Sequence, residues 1–314
     1  MSSNASIKVL YIVGCGRSGS TIIDIVLGNH KNIESVGELI SLPKLGWIDN
    51  GYCSCGLRAN ECDFWSSVRR EWERLSGLKN VNDYVDQKNK LDRLWRRFEE
   101  FKAPDIFSTE FKLFAKNTYY LYKAIQTISG KSVVVDSSKN PLTAYLLSFI
   151  TDIDLRIIHL VRDPRGVTWS QKKSLSKDER SGIKKSINSI PMWHSALNWR
   201  RINLRSEWVC NQCSSDKTLQ ISYEDFMASP RDALMKIGQL ISEDFEEVIA
   251  IIESNSSLIL GHNIAGNRVR MSNELKLKFD DEWNKKLSIF ENALVVMMSG
   301  YFINKFKGKN VNNE

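Results

Sequence analysis

The octet GCGRSGST, residues 14–21, constrains this chain more than any other stretch. It follows an apolar, β-rich run at residues 7–13 and precedes Ile22, Ile23, Ile25, Val26 and Leu27, which recur as in a helix. Strand, glycine loop and helix in that order make a phosphate-cradling unit, in which backbone N–H groups and a helix N-terminus face an anion. The spacing is that of a phosphate loop, yet Ser20 stands where the lysine belongs. That lysine ordinarily reaches the β and γ phosphates while the hydroxyl residue after it holds magnesium. With Arg17 as the nearby cation, the octet favours a short anionic group over a magnesium-bound triphosphate. A chance glycine-rich turn is the alternative, and the flanking strand and helix argue against it.

The unit recurs. A short strand at residues 132–135 ends in DSSKNP, and residues 142–150 then read as a helix. A strand at 155–161 ends in RDPRG before another helix, and a fourth at 218–222 ends at Tyr223, Glu224 and Asp225. Strands that end in polar loops and feed helices predict a parallel sheet, because parallel neighbours need crossover connections. The expected fold is α/β, a three-layer, P-loop-like parallel sheet flanked by helices. Ligands of such sheets sit beyond the carboxyl ends of the strands, so GCGRSGST, DSSKNP and RDPRG should line one cleft. Between the first two units, residues 53–130 carry Tyr84, Leu91, Leu94, Trp95, Phe98 and Phe101 at helical spacing, and 111–128 repeats the pattern. This predicts a helical insertion packed on the sheet. Residues 1–314 read as a single domain with that insertion and a frayed polar tail at 308–314.

Hydrophobic and charged fractions of 42% and 26% are those of an ordinary globular chain, which sets disorder aside. No apolar stretch approaches the roughly 20 residues of a membrane span, and no leader pattern is present, so the expected location is cytoplasmic. The net charge of +7 suits an anionic ligand. Much of it lies between Lys172 and Arg205, including Lys177, Arg180, Lys184 and Lys185, either as a solvated helix face or as an anion-facing surface. No aromatic-basic motif accompanies it, so nucleic acid is not expected. Cys53, Cys55 and Cys62 cluster, and Cys210 and Cys213 form a C-x-x-C. The first group is odd in number and no histidine lies near either in sequence, so reduced structural thiols without metal are expected. A disulfide from Cys62 to Cys53 or Cys55 is the lesser alternative.

RDPRG offers a second anion site. Arg162 can fork onto a phosphate and Ser170 can add a hydroxyl hydrogen bond, although an Arg162–Asp163 pair is an equal reading of the triplet. Together with the first loop this suggests a ligand with two separated phosphates. The combination resembles the sulfotransferase family, whose donor is 3′-phosphoadenosine 5′-phosphosulfate (PAPS). GCGRSGST matches its modified phosphate loop and LVRDPRGVTWS its 3′-phosphate motif, and VVVDSSKNP, YEDF and HNIAGNRVR extend the likeness over most of the chain. The motif style is closest to bacterial single-domain and tyrosylprotein-sulfating members; the drug-metabolising branch has lysine where Arg17 stands.

The resemblance implies that Gly16, Arg17, Ser18, Gly19, Ser20 and Thr21 hold the 5′-phosphosulfate and that Arg162 and Ser170 hold the 3′-phosphate. It further places Gly266, Asn267 and Arg268 on a loop that closes over the donor. Glu38 falls where carboxylate-using members carry the base, and Lys139 matches a lysine that stabilises the transferring group beside Arg17. Asp136 would orient Lys139. His262 is the rival base, whereas His30 reads as a helix cap and His159 as core. The expected reaction is in-line transfer to a hydroxyl, less readily an amine, of a small-molecule, lipid or peptide acceptor, leaving adenosine 3′,5′-bisphosphate (PAP), with no metal. A small-molecule kinase with a degenerate phosphate loop and a non-catalytic nucleotide-binding module are the alternatives.

Overall fold

The computed structural model describes residues 6–97, 105–106, 108–173, 189–272, 274–300 and 302–306. Five parallel strands lie in the order β2-β3-β1-β4-β5. They are β1 Ile7–Gly14, β2 Ile33–Ser35, β3 Val133–Lys139, β4 Ile153–Val161 and β5 Thr218–Ser222. The helices in chain order are α1 Ser20–Gly28, α2 Asp63–Ser76, α3 Val81–Arg97, α4 Thr109–Ser129, α5 Pro141–Leu147, α6 Pro164–Lys172 and α7 Met192–Gln212. After these come α8 Tyr223–Ala228, α9 Pro230–Ile241, α10 Glu246–Glu253, α11 Glu282–Lys286, α12 Ile289–Ser299 and α13 Phe302–Phe306.

In β1 every residue except Lys8 is buried, as a central parallel strand covered on both faces requires. Its side chains alternate between two cores. Val9, Tyr11 and Val13 join Trp65, Trp72, Phe114, Leu121 and Ala144, so α4 and α5 cover that face and α2 packs on α4 beyond it. Leu10 and Ile12 join Ile23, Val26, Ile237 and Val248, so α1, α9 and α10 cover the other. The three-layer α/β arrangement expected from the strand-loop-helix repeats is the one observed.

The insertion is helical, and α4 carries it onto the sheet. Trp72 stacks on Trp47 at 5.1 Å and donates from Nε1 to the Asn117 carbonyl at 2.8 Å, which ties α2 to α4. Tyr84 and Leu91 are buried as the periodicity predicts. The side chains of Leu94, Trp95, Phe98 and Phe101 lie outside the described residues, as do Lys177, Arg180, Lys184, Lys185 and the tail.

Three elements depart from expectation. The edge strand β2 is three residues long, too short to announce itself by alternation. β3 does not stop at 135 but runs through DSSK to Lys139, across an irregularity opposite Tyr11 and Val13. α5 ends at Leu147 rather than 150; it starts where the Asn140 Oδ1 accepts the Leu142 N–H at 2.9 Å, with Pro141 in the first turn. His30 follows the end of α1 and closes it through the backbone, its N–H donating to the Leu27 carbonyl at 3.1 Å. Asn29 ends α1, while the His30 Nδ1 accepts the Asn32 N–H at 3.2 Å and Nε2 lies 2.8 Å from the Asp244 carbonyl.

His159 is buried in β4 as expected, with Nε2 3.1 Å from the Asn203 Oδ1. Burial pushes its pKa down to about 4. An unfolded-chain histidine titrates near ~6.5, so between these values the unfolded state binds more protons and stability falls as the pH drops. His159→Gln should therefore remove up to about 3 kcal/mol of acid destabilisation. Urea midpoints at neutral pH and near pH ~4 check this, since the variant should lose less stability than the wild type between the two.

Candidate active site

At the end of β1 the chain enters the glycine loop. Gly19 adopts φ +89°, and a Cβ there would lie 2.4 Å from the Tyr223 ring, so only glycine lets the loop close against that ring. The Gly19 carbonyl accepts the Ile22 N–H at 3.0 Å and starts α1. Ser18 is buried, and its Oγ is without a hydrogen-bond partner among the described residues. Arg17 lies in the left-handed region at φ 72°. Burial pulls its pKa down, with the nearby Glu38 carboxylate acting the other way.

Glu38 follows β2 on a turn that the buried acid Asp24 fixes from below. One Asp24 oxygen accepts the Gly37 N–H at 3.2 Å and the Ser35 hydroxyl at 2.7 Å, and burial pushes this carboxyl up to about 8. Across the sheet, Lys139 donates to the Glu38 Oε1 at 2.5 Å and to the Ser137 carbonyl at 3.0 Å. Lys139 is also left-handed, at φ 66°, and so is Ala265 at φ 59°. Of the six described non-glycine residues with positive φ, these three line one cavity, which concentrates backbone strain there.

Asp136 does not touch the Lys139 ammonium. It accepts the Tyr122 hydroxyl at 2.7 Å, the Ser138 N–H at 2.9 Å and the Leu39 N–H at 3.4 Å, and its pKa is raised to about 6 by burial. Its influence runs through the backbone, holding together the strand end that bears Lys139 and the turn that bears Glu38.

At the end of β4 the Arg162 guanidinium donates to the Arg17 carbonyl at 3.1 Å and to the Asp280 carboxylate at 3.1 Å. It lies over the Tyr223 ring at 4.5 Å, and its Nε is buried without a partner among the described residues. Trp199 fixes the strand end by donating to the Arg162 carbonyl at 2.9 Å. The partner of Asp163 is Arg165, at 2.6 Å, so the Arg162–Asp163 pairing left open by the sequence is not formed.

A cavity of about 390 Å³ gathers most of the predicted residues: Gly16, Arg17, Gly19, Ser20, Thr21, Glu38, Lys139, Arg162, Ser170, Gly266 and Asn267. The Asn267 N–H donates to the Thr21 Oγ1 at 3.1 Å, which joins the C-terminal loop to the start of α1. Ser18 and Arg268 are not among the lining residues, although Arg268 is near enough to Arg17 to oppose its charge. Sequence reasoning missed Leu45, Tyr52, Arg58, Tyr223, Arg270 and Asp280, which also line the cavity. Arg270 is buried and donates to the carbonyls of Tyr52 at 2.9 Å and Asn263 at 3.2 Å. It stands in the quoted HNIAGNRVR, and only the loop conformation shows that it, rather than Arg268, turns inward. Among the described residues the insertion helices contribute no lining residue; the wall comes from the segment before them.

His262 is not in this lining. Its ring stacks on Phe64 at 4.9 Å, with Nδ1 3.3 Å from the Cys62 Sγ and 3.7 Å from the Cys53 Sγ. The premise that no histidine lies near the first cysteine cluster therefore holds along the chain and fails in space.

A family description entitled "Sulfotransferase family" matches residues 10–247. Among solved structures, the sulfotransferase domain from the curacin biosynthetic pathway aligns at 16% identity over 93% of this chain and 98% of that one, with a TM-score of 0.51. The sulfotransferase domain from the Synechococcus PCC 7002 olefin synthase aligns at 18% identity over 95% and 89%, with a TM-score of 0.45. At 16% identity the likeness to the curacin-pathway domain speaks for fold alone. No match was found among curated proteins. No helix of the described residues is long and apolar enough to cross a membrane.

Proposed function

The chain belongs to the sulfotransferase family, and on that premise we propose that it moves a sulfuryl group from PAPS to an acceptor hydroxyl, less readily to an amine. The observation that carries this is the meeting of Arg17, Glu38 and Lys139 in a cavity shared by two loops of phosphate-binding type. The Ser18 Oγ and the Arg162 Nε, one in each loop, are buried polar atoms without partners among the described residues, which fits groups arranged for an anionic ligand.

The backbone of residues 16–21 and Arg17 would hold the 5′-phosphosulfate. Arg162 and Ser170 would hold the 3′-phosphate, and Gly266, Asn267 and Arg268 would close over the donor. When bound, PAPS supplies the sulfuryl group, whose bond to the phosphate oxygen breaks as the acceptor oxygen bonds to sulfur. Glu38 takes the acceptor's proton. Lys139 engages Oε1 of that carboxylate, which leaves Oε2 as the basic atom. The Lys139 and Arg17 cations offset the charge that develops on the departing oxygen, Lys139 being held in place beforehand by Glu38 and the Ser137 carbonyl. A kinase reading lacks the loop lysine, and a non-catalytic binding module gives Glu38 and Lys139 no task.

Calorimetric titration with PAP tests the donor. The wild-type protein should bind it, and Arg162→Lys, which keeps the charge but loses the fork, should weaken binding by about 10- to 100-fold. A wild-type protein that binds neither PAPS nor PAP overturns the proposal.

A further inference from the structure

We propose that Cys53, Cys55, Cys62 and His262 together hold a structural zinc ion. One ligand atom from each lies within 4.8 Å of all the others. The two sulfur-to-nitrogen distances of 3.3 and 3.7 Å bracket the edge of a tetrahedral site, about 3.5 Å for Zn–S near 2.3 Å and Zn–N near 2.0 Å. Zinc favours this ligand set, three thiolates and one imidazole.

Contacts that do not involve the thiols place the four residues. The Cys53 N–H donates to the Leu57 carbonyl at 2.8 Å and the Gly56 N–H to the Cys53 carbonyl at 3.0 Å. With Gly56 at φ +89°, this tight turn folds Cys55 back beside Cys53. Cys62 stands at the cap position of α2 with an extended backbone, where the helix N-terminus favours a thiolate. His262 is held by the Phe64 stack and by the Trp65 Nε1, which donates to its carbonyl at 2.6 Å. Ser54 clasps the next residue: its N–H donates to the Asn263 carbonyl at 3.0 Å, and its Oγ accepts the Asn263 N–H at 2.7 Å. All six cysteines are free thiols, and Cys210 and Cys213 form no comparable group among the described residues.

Four protein ligands leave no open position, so the ion is structural rather than catalytic. It links residues 53–62 to a loop that, within four residues of His262, supplies Ile264, Ala265 and Gly266 to the cavity. The inference does not depend on which group the enzyme transfers.

The test uses the full chain, purified under reducing conditions without chelator. Elemental analysis should find about one zinc per chain. The apo protein titrated with cobalt(II) should show the intense visible bands of a tetrahedral cobalt thiolate. Cys55→Ser, at an exposed position, should fold as the wild type does, weaken cobalt binding at least about tenfold and shift those bands. Cys210→Ser should leave them unchanged. The proposal is overturned if the wild-type protein, with six titratable thiols, carries no zinc and binds cobalt no more tightly than Cys55→Ser.

Discussion

Glu38→Gln should lower turnover by about 10²- to 10⁴-fold, the range that a positioned general base contributes, while leaving PAP affinity near the wild-type value. The substitution keeps the shape and an oxygen that can still accept the Lys139 hydrogen bond, so the strand end and turn should stay in place. What it removes is the ability to take a proton. A merely structural glutamate would change stability and affinity together and leave the pH dependence intact. Loss of the acid limb of the kcat/KM profile, with an unchanged thermal midpoint, separates the two. Full turnover in Glu38→Gln would remove Glu38 as the base without touching the donor assignment. His262 would not inherit the role, because its Nδ1 faces the Cys53 and Cys62 sulfurs.

The contrast between Glu38 and His262 shows what the sequence could reveal. Strands β1 and β4 were legible because each is a largely apolar run cut off by a polar loop. β2 was not, since Ile33, Glu34 and Ser35 offer no alternation to read. Glu38 and Lys139 were each nominated by the family resemblance of the words around them. That they pair across 101 residues follows from β2 lying beside β3, which no local signal carries. The metal-free reading of the cysteines failed in its premise for the same reason, since Cys62 and His262 are 200 residues apart. Asp136 shows a subtler limit. Its place in the motif suggested contact with Lys139, but a buried carboxylate must satisfy its own oxygens first, and Tyr122, Ser138 and Leu39 do that.

Arg17→Ala should cost about 10²- to 10³-fold in kcat/KM, comparable to deleting one fixed donor from a charge-stabilising site. The fold should tolerate it. Alanine and arginine meet the same left-handed constraint at φ 72°, and the contact that links this loop to β4 is made by the Arg17 carbonyl, which the substitution keeps. The guanidinium is also partly withdrawn from water, which depresses its pKa, so its removal relieves a desolvation cost and the melting temperature should hold or rise slightly. Arg17→Lys divides the effect further. A lysine restores the positive charge but not the planar fork, so its activity should fall between the two if charge and geometry both matter. Melting curves taken beside steady-state rates are the check, because a catalytic role for Arg17 requires the loss of rate to appear without a loss of fold. Wild-type kcat/KM in Arg17→Ala would leave the cation at the head of α1 without a part in the transfer.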